Sequence, residues 1–107
     1  MNPAGPFDWL LSWYGGQCDG AWEHGYGVTI GTIDNPGWSL TVDLTGTPLA
    51  GCTLEHISHN YEDGADWWVC WAEDDKFQAA GGPHQLGNMI MAFREWTEGR
   101  LSRDPIA

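Results

Sequence analysis

The sequence predicts an α+β fold: one antiparallel sheet of four to five strands with an N-terminal and a C-terminal helix. Apolar residues alternate with polar ones through the middle of the chain, which is the period of a strand with one buried face. Near both ends they recur at helical spacing instead. Because the 107 residues contain no repeat and no linker, we expect a single domain over residues 1–107.

The first helix is predicted over roughly residues 6–16. Pro6 suits a first helical position, where its missing N–H costs no hydrogen bond. The apolar side chains of this segment fall on one stripe: Leu10, Trp13 and Tyr14. Gly15 and Gly16 are expected to weaken or end the helix, and residues 17–25 are interpreted as a loop.

A β-hairpin is predicted next. The outgoing strand alternates from Tyr26 through Val28 to Ile30, and the returning strand has its apolar positions at Trp38, Leu40, Val42 and Leu44. The turn between them is Asp34-Asn35-Pro36-Gly37. We expect Pro36 to preset one φ angle and Gly37 to take a positive one.

Three further strands are predicted at Cys52–His59, Asp66–Glu73 and Lys76–Ala80, with a tight turn at residues 74–75. The second of these is apolar on both faces, as expected of a central strand that is covered twice. Three tryptophans are predicted to be buried and to hold the sheet: Trp38, Trp67 and Trp71.

The C-terminal helix is predicted to begin at Pro83 and to end near Gly99. Its stripe of mainly apolar positions is Leu86, Met89, Ile90, Phe93, Trp96 and Thr97.

The charge is distributed unevenly along the chain. Residues 1–75 contain twelve carboxylates and no lysine or arginine, and the remaining residues carry +1, so that the net charge is −11. Such a one-signed domain repels polyanions and attracts cationic surfaces. The charge therefore argues against nucleic acid and anionic membranes as partners, and favours a basic protein.

Nothing in the sequence specifies a metal, a cofactor or a catalytic centre. His56 and His59 are three residues apart, a spacing that puts them on opposite faces of a strand. Cys70 has bulky apolar neighbours, where burial would make its thiol inert, and carboxylates lie near Cys18. Two alternatives stay open: a small hydrolase or sulfur-transfer enzyme using Cys18 or the histidines, and a ligand-binding module that stacks a sugar or base on exposed tryptophans.

The chain is predicted to be cytoplasmic. Its N-terminus lacks the basic region and apolar run of a signal peptide, and no stretch approaches the about 20 apolar residues that span a membrane. The three cysteines form no CxxC pair, so reduced thiols are expected.

The segment Trp22-Glu23-His24 allows two interpretations. In the first, Trp22 completes the core while Glu23 and His24 bond to the loop backbone. In the second, the ring is an exposed anchor with a charged rim, as protein interfaces use.

The same segment lies within a run that resembles the bacterial immunity protein 53 family. The matching motifs are Trp13-Tyr14, Gln17-Cys18-Asp19-Gly20, Trp22-Glu23-His24, Tyr26-Gly27 and Asp34-Asn35-Pro36-Gly37-Trp38. The resemblance implies a non-catalytic protein of a bacterial polymorphic toxin system, which binds and neutralises a cognate toxin inside the cell. Because nucleases approach phosphate backbones and tend to be basic, the acidic composition favours a nuclease toxin.

The candidate partner-binding residues are exposed carboxylates in loops and at strand ends, together with the aromatic segment and its histidine: Asp19, Trp22, Glu23, His24, Asp34, Glu62, Asp63, Asp66, Asp74 and Asp75.

Overall fold

The computed structural model of the protein describes residues 5–59 and 66–99. Within them the elements follow one another as α1 (Pro6–Gln17), α2 (Trp22–Gly25), β1 (Val28–Ile33), β2 (Gly37–Asp43), β3 (Leu54–His59), β4 (Trp68–Glu73), β5 (Lys76–Gly81) and α3 (Leu86–Thr97). The five strands form one antiparallel sheet in the order β1-β2-β5-β4-β3. The predicted α+β fold class is confirmed.

The β1–β2 hairpin and the β4–β5 hairpin meet in the middle of the sheet, where β5 pairs with β2. Leu40 of β2 lies opposite Ala79 of β5, and Ala79 lies opposite Cys70 of β4. All three side chains are buried. Since side chains alternate between faces, this register gathers the apolar positions of three strands on one face of the sheet.

Both long helices cover that face. The helix α3 packs against β2, β4 and β5, and α1 packs against α3. The ring of Phe93 in α3 lies 4.9 Å from that of Phe77 and 5.0 Å from that of Trp13, measured between centroids. The predicted stripe of α3 is therefore the stripe that the core uses, with Met89, Ile90 and Phe93 fully buried.

The predicted double coverage of β4 is wrong. Trp71 lies on the face opposite to Cys70 and stacks on His56 of the neighbouring strand, with 4.6 Å between ring centroids. Trp67 and Trp71 are half-buried, because this face packs against cross-strand neighbours and the described helices lie on the other face. Trp38 is also half-buried, at the margin of the core, where its Nε1 donates to the Pro83 carbonyl at 2.9 Å.

Several elements differ from the prediction. The strands β1, β3 and β4 each begin two residues later than predicted, at Val28, Leu54 and Trp68. The first helix continues through both of its glycines to Gln17. A one-turn helix, α2, occupies part of the predicted loop. The last helix begins at Leu86 with Gln85 as its N-cap, whereas Pro83 lies in the preceding turn. Its end is as predicted, since Gly99 follows the helix with a φ of 78°.

The predicted positive φ at Gly37 is wrong, because Gly37 is not among the described glycines with a positive φ. A glycine is needed at this position for a different reason. A Cβ on Gly37 would overlap the carbonyl oxygen of Gly81, so β2 and β5 approach each other closely at this point. A Cβ on Gly81 would in turn lie 2.9 Å from the Met89 Sδ and from the Trp67 carbonyl oxygen. These two glycines let the strands and α3 come together.

We expect Gly37→Ala to lower the free energy of unfolding by about 1–3 kcal/mol, because the added methyl forces the strands apart. Gly31→Ala is the matched control on the adjoining strand, where the nearest atom to the new Cβ is the Ser39 Oγ at 3.6 Å. It should be neutral or stabilise the protein by up to about 1 kcal/mol. Urea unfolding of both variants measures the difference, and equal stabilities would contradict the close-approach explanation.

Candidate partner-binding surfaces

The acidic residues after α1 organise their own loop. The Asp19 Oδ1 accepts hydrogen bonds from the N–H groups of Ala21 at 3.0 Å and Trp22 at 2.9 Å. The Glu23 carboxylate reaches back to the N–H groups of Asp19 and Gly20, at 3.0 and 2.9 Å. The two carboxylates therefore satisfy the free N–H groups at the start of α2 and in the preceding turn.

These hydrogen bonds also keep both carboxylates charged. The N–H groups of Trp22 and Ala21 hold the pKa of Asp19 below its usual value. The N–H of Glu23 itself, assisted by those of Asp19 and Gly20, holds the pKa of Glu23 below its usual value. Both groups contribute full negative charge at neutral pH.

Trp22 is buried, with 6 % of its surface exposed. Its Nε1 donates to the Thr45 carbonyl at 2.8 Å, and its ring meets those of Trp13 and Tyr14 edge-on. The ring therefore completes the core, and its expected role as an exposed anchor is not what this geometry supports. His24, beside it, is exposed.

The remaining candidates that lie within residues 5–59 and 66–99 do not form one cluster. At one end of the sheet, Trp38, Gly81 and Trp68 lie side by side in register. Asp34 lies in the β1–β2 turn at this end, and Asp66 just before β4. Asp66 accepts a long hydrogen bond of 3.4 Å from the Gln85 amide.

The other described candidates occupy the opposite end: Asp19, Glu23, His24, Asp74 and Asp75. Trp22 joins α2 to the Thr45 carbonyl, and the Thr45 hydroxyl donates to the Asp75 Oδ2 at 3.0 Å. The two ends are separated by the length of a six-residue strand, about 20 Å at 3.3 Å per residue. Glu62 and Asp63 lie outside the described residues.

Asp75 holds the fold as well as carrying charge. Its Oδ1 accepts the N–H of Gly51 at 2.7 Å, which fastens the loop after β2 to the β4–β5 turn. Asp74 and Asp75 both have positive φ angles, 54° and 59°, as a tight two-residue hairpin turn requires. Substituting Asp75 therefore changes structure and charge together.

The positive charges of the described residues are engaged. Lys76 Nζ lies 2.6 Å from the Asp43 Oδ1, and this hydrogen bond raises the pKa of Lys76 above its usual value. Arg94 Nε lies 3.1 Å from the Glu98 Oε2, and the guanidinium stands 5.8 Å over the Trp9 ring. Over residues 5–59 and 66–99, every lysine and arginine thus has a carboxylate partner.

An apolar groove separates α1 from the edge strand β1, with a volume of about 420 Å³. Its lining is Phe7, Leu10, Leu11, Tyr14, Tyr26, Gly27, Val28 and Ile30. The four large apolar side chains that the described part of the chain exposes all belong to this lining: Phe7, Leu11, Tyr14 and Tyr26. The sequence does not predict the groove. Helical spacing and alternation identify apolar positions, but they do not show which of these positions the core leaves uncovered.

The residues proposed for metal or thiol chemistry do not assemble into a site. His59 stacks on Trp68 and His56 on Trp71, on opposite faces of the sheet, as their spacing predicts for a strand. Burial raises the pKa of the Cys70 thiol to about 12. Among the described residues no group of three or more histidine, cysteine or carboxylate side chains is placed to hold a metal ion. None of the described helices is long and apolar enough to cross a membrane.

Comparison with protein families gives a match over most of the chain. The family model described as immunity protein 53 matches residues 7–98. Searches of curated proteins and of solved structures found no match.

The three cysteines should differ in reactivity. Cys18 and Cys52 are exposed, whereas Cys70 is buried with a raised pKa, so its thiolate is scarce and inaccessible. A disulfide reagent that releases a coloured thiol should therefore modify two cysteines in the native protein at pH 8. Modification of the third should follow unfolding in urea. Rapid labelling of Cys70 in the folded protein would contradict its burial and reopen thiol chemistry.

Acid should weaken the loop that Asp19 and Glu23 hold. The pKa values of Asp19 and Glu23 are lower in the folded state than in the unfolded state, where they are about 3.9 and 4.3. The two carboxylates therefore stabilise the fold fully above the unfolded pKa values. This stabilisation is lost as the pH falls through the folded pKa values. The double variant Asp19→Asn/Glu23→Gln should lose less stability than the wild type between pH 5 and pH 3. Urea titrations across that range measure this, with Asp8→Asn as the control outside the loop; parallel curves would contradict the prediction.

Proposed function

The chain belongs to the immunity protein 53 family, and we propose that it binds and occludes a basic toxin domain with nuclease activity. It acts in the cytoplasm of the bacterial cell that makes it, as the immunity component of a polymorphic toxin system. Inhibition is by binding, without catalysis. The family match over residues 7–98 supports a toxin-neutralising role, and the charge of the chain supports the kind of toxin.

The observation that favours a basic nuclease is the net charge of −11 over the whole chain. Among the described residues, the two cations, Lys76 and Arg94, are already engaged by carboxylates. A nuclease presents a positive surface to the phosphate backbone. Oppositely charged surfaces attract at long range and can raise association rates to about 10⁸–10⁹ M⁻¹s⁻¹ at low salt. The same attraction would place the acidic protein over the basic surface of the toxin that nucleic acid must reach.

The decisive experiment uses the C-terminal domain encoded by the reading frame immediately upstream. Expression of that domain alone should stop growth and degrade nucleic acid, and co-expression of the protein described here should restore both. Continued cell death despite a stable complex would overturn the immunity proposal. Protection against a toxin that leaves nucleic acid intact would keep immunity and overturn the nuclease assignment.

Electrostatic attraction predicts a specific kinetic signature. The association rate with this domain should fall about 10-fold or more between 0.05 and 0.5 M NaCl, because added salt shortens the screening length, while the dissociation rate changes little. Asp34→Asn and Asp74→Asn remove one charge from each end of the sheet, and the end that faces the toxin should show the larger loss of association rate. Stopped-flow fluorescence measures both, and salt-independent association would exclude steering.

A further inference from the structure

Within the described sheet, the edge strand β1 has a neighbouring strand on one side only, and its other side lies beside the apolar groove. The Asp43 N–H donates to the Gly27 carbonyl at 3.0 Å, which identifies this pair as hydrogen-bonded in the β1–β2 ladder. Hydrogen-bonded pairs alternate with non-bonded ones in antiparallel sheets. The N–H and C=O groups of Val28, Ile30 and Thr32 therefore point away from β2, toward the open edge.

The two edges of the sheet differ in how they are protected. The edge strand β3 carries Glu55, His56 and His59, and its pairing shifts register between residues 54 and 57. Charges and bulges of this kind hinder pairing with another strand. The β1 sequence Val28–Ile33 has no charge, no proline and an unbroken register over six pairs. It is an open template for a further strand.

We infer that the edge of β1 and the groove beside it form a docking surface for an extended segment of the toxin, which pairs with β1 and inserts apolar side chains under α1. This inference rests on the proposed function and names the surface that carries it. The segment has apolar residues at alternate positions and lysine or arginine near its ends.

The geometry of a sheet connects the two halves of this surface. A strand added beside β1 would continue the alternation of faces, so every second side chain would share the face of Val28 and Ile30. Both residues line the groove, whose opposite wall is provided by α1. Phe7 and Leu11 on that wall are 51 % and 55 % exposed, and an inserted side chain would cover them. Backbone pairing would then supply affinity and the groove would supply selectivity.

Charge decides which occupant fits. Asp34 follows β1 at one end of the edge, and Asp19 and Glu23 lie toward the other end. Asp43 also lies there, but its charge is already paired with that of Lys76. A second copy of the chain would bring another −11 against this edge, whereas a segment with basic ends would meet carboxylates at both of its ends.

The test uses the toxin domain against which the wild type protects, with an inactivated catalytic site. Phe7→Ala/Leu11→Ala should raise its Kd by about 10- to 100-fold, chiefly through faster dissociation. Ser12→Ala, an exposed position on the same helix outside the groove lining, should leave the Kd unchanged. Thr32→Pro removes an outward N–H without breaking the ladder to β2, and should weaken binding by at least about 10-fold. Thr32→Val keeps the N–H and should bind as the wild type does.

A second measurement covers the case in which the proline variant does not fold. A photoreactive phenylalanine derivative at Leu11 should cross-link to the toxin domain, and the same group at Ser12 should not. Cross-links from Leu11 to a second copy or to another part of the same chain, with none to the toxin, would overturn the inference.

Failure of the two proposals is distinguishable. If the wild type gives no protection, the immunity proposal fails and the docking surface fails with it. If the wild type protects and binds while all groove and edge variants bind equally well, the docking surface alone is wrong.

Discussion

The contact between Phe77 and Phe93 joins the sheet to the helices, and the rest of the structure depends on it. Phe77 comes from the central strand β5, and Phe93 from α3 also touches Trp9 and Trp13 of α1. Both phenylalanines are fully buried, so each contributes about 1.5–3 kcal/mol by leaving water. Because the net free energy of unfolding of a domain is only about 5–15 kcal/mol, losing either burial would remove a large part of it. Because α1 packs on α3, Phe93 also fixes where α1 lies, and with it the width of the groove.

The elements were largely predictable from the sequence because their signals are local. Alternation and helical spacing depend on neighbouring residues, so the hairpin from β1 to β2 and the buried stripe of α3 follow from pattern alone. Coverage is not local. The run from Trp67 to Ala72 is apolar on both faces, yet the described helices cover one, and the other face is filled by contacts such as that of Trp71 with His56.

The sequence predicts the charge of the candidate surfaces, but it does not predict where the charged residues lie relative to one another. Composition shows the negative charge, whereas its division between two ends of the sheet follows from strand order, which no local pattern specifies. Trp22 illustrates the difficulty. In the sequence, a ring among polar residues fits both an interface anchor and a core residue. The structure distinguishes the two, because the Trp22 Nε1 donates to the Thr45 carbonyl. Gly37 is similar, since a close approach between distant strands leaves no trace in the turn sequence itself.

Several carboxylates have two roles at once. Asp19 and Glu23 bond to backbone N–H groups, and Asp75 joins two loops, so all three stabilise the fold through short contacts. Hydrogen bonding does not remove their charge, and that charge still contributes to the field around the molecule. Residues that the architecture requires thus also contribute to the negative field around the molecule.

The exposure of Phe7 and Leu11 has an evolutionary consequence. About half of each side chain lies outside the close-packed interior, so replacing either one leaves a smaller cavity than replacing a core residue would. A lineage could therefore rewrite this strip one residue at a time while the interior stays intact. If this strip contacts the toxin, as proposed, a change in the toxin's surface would select for such replacements.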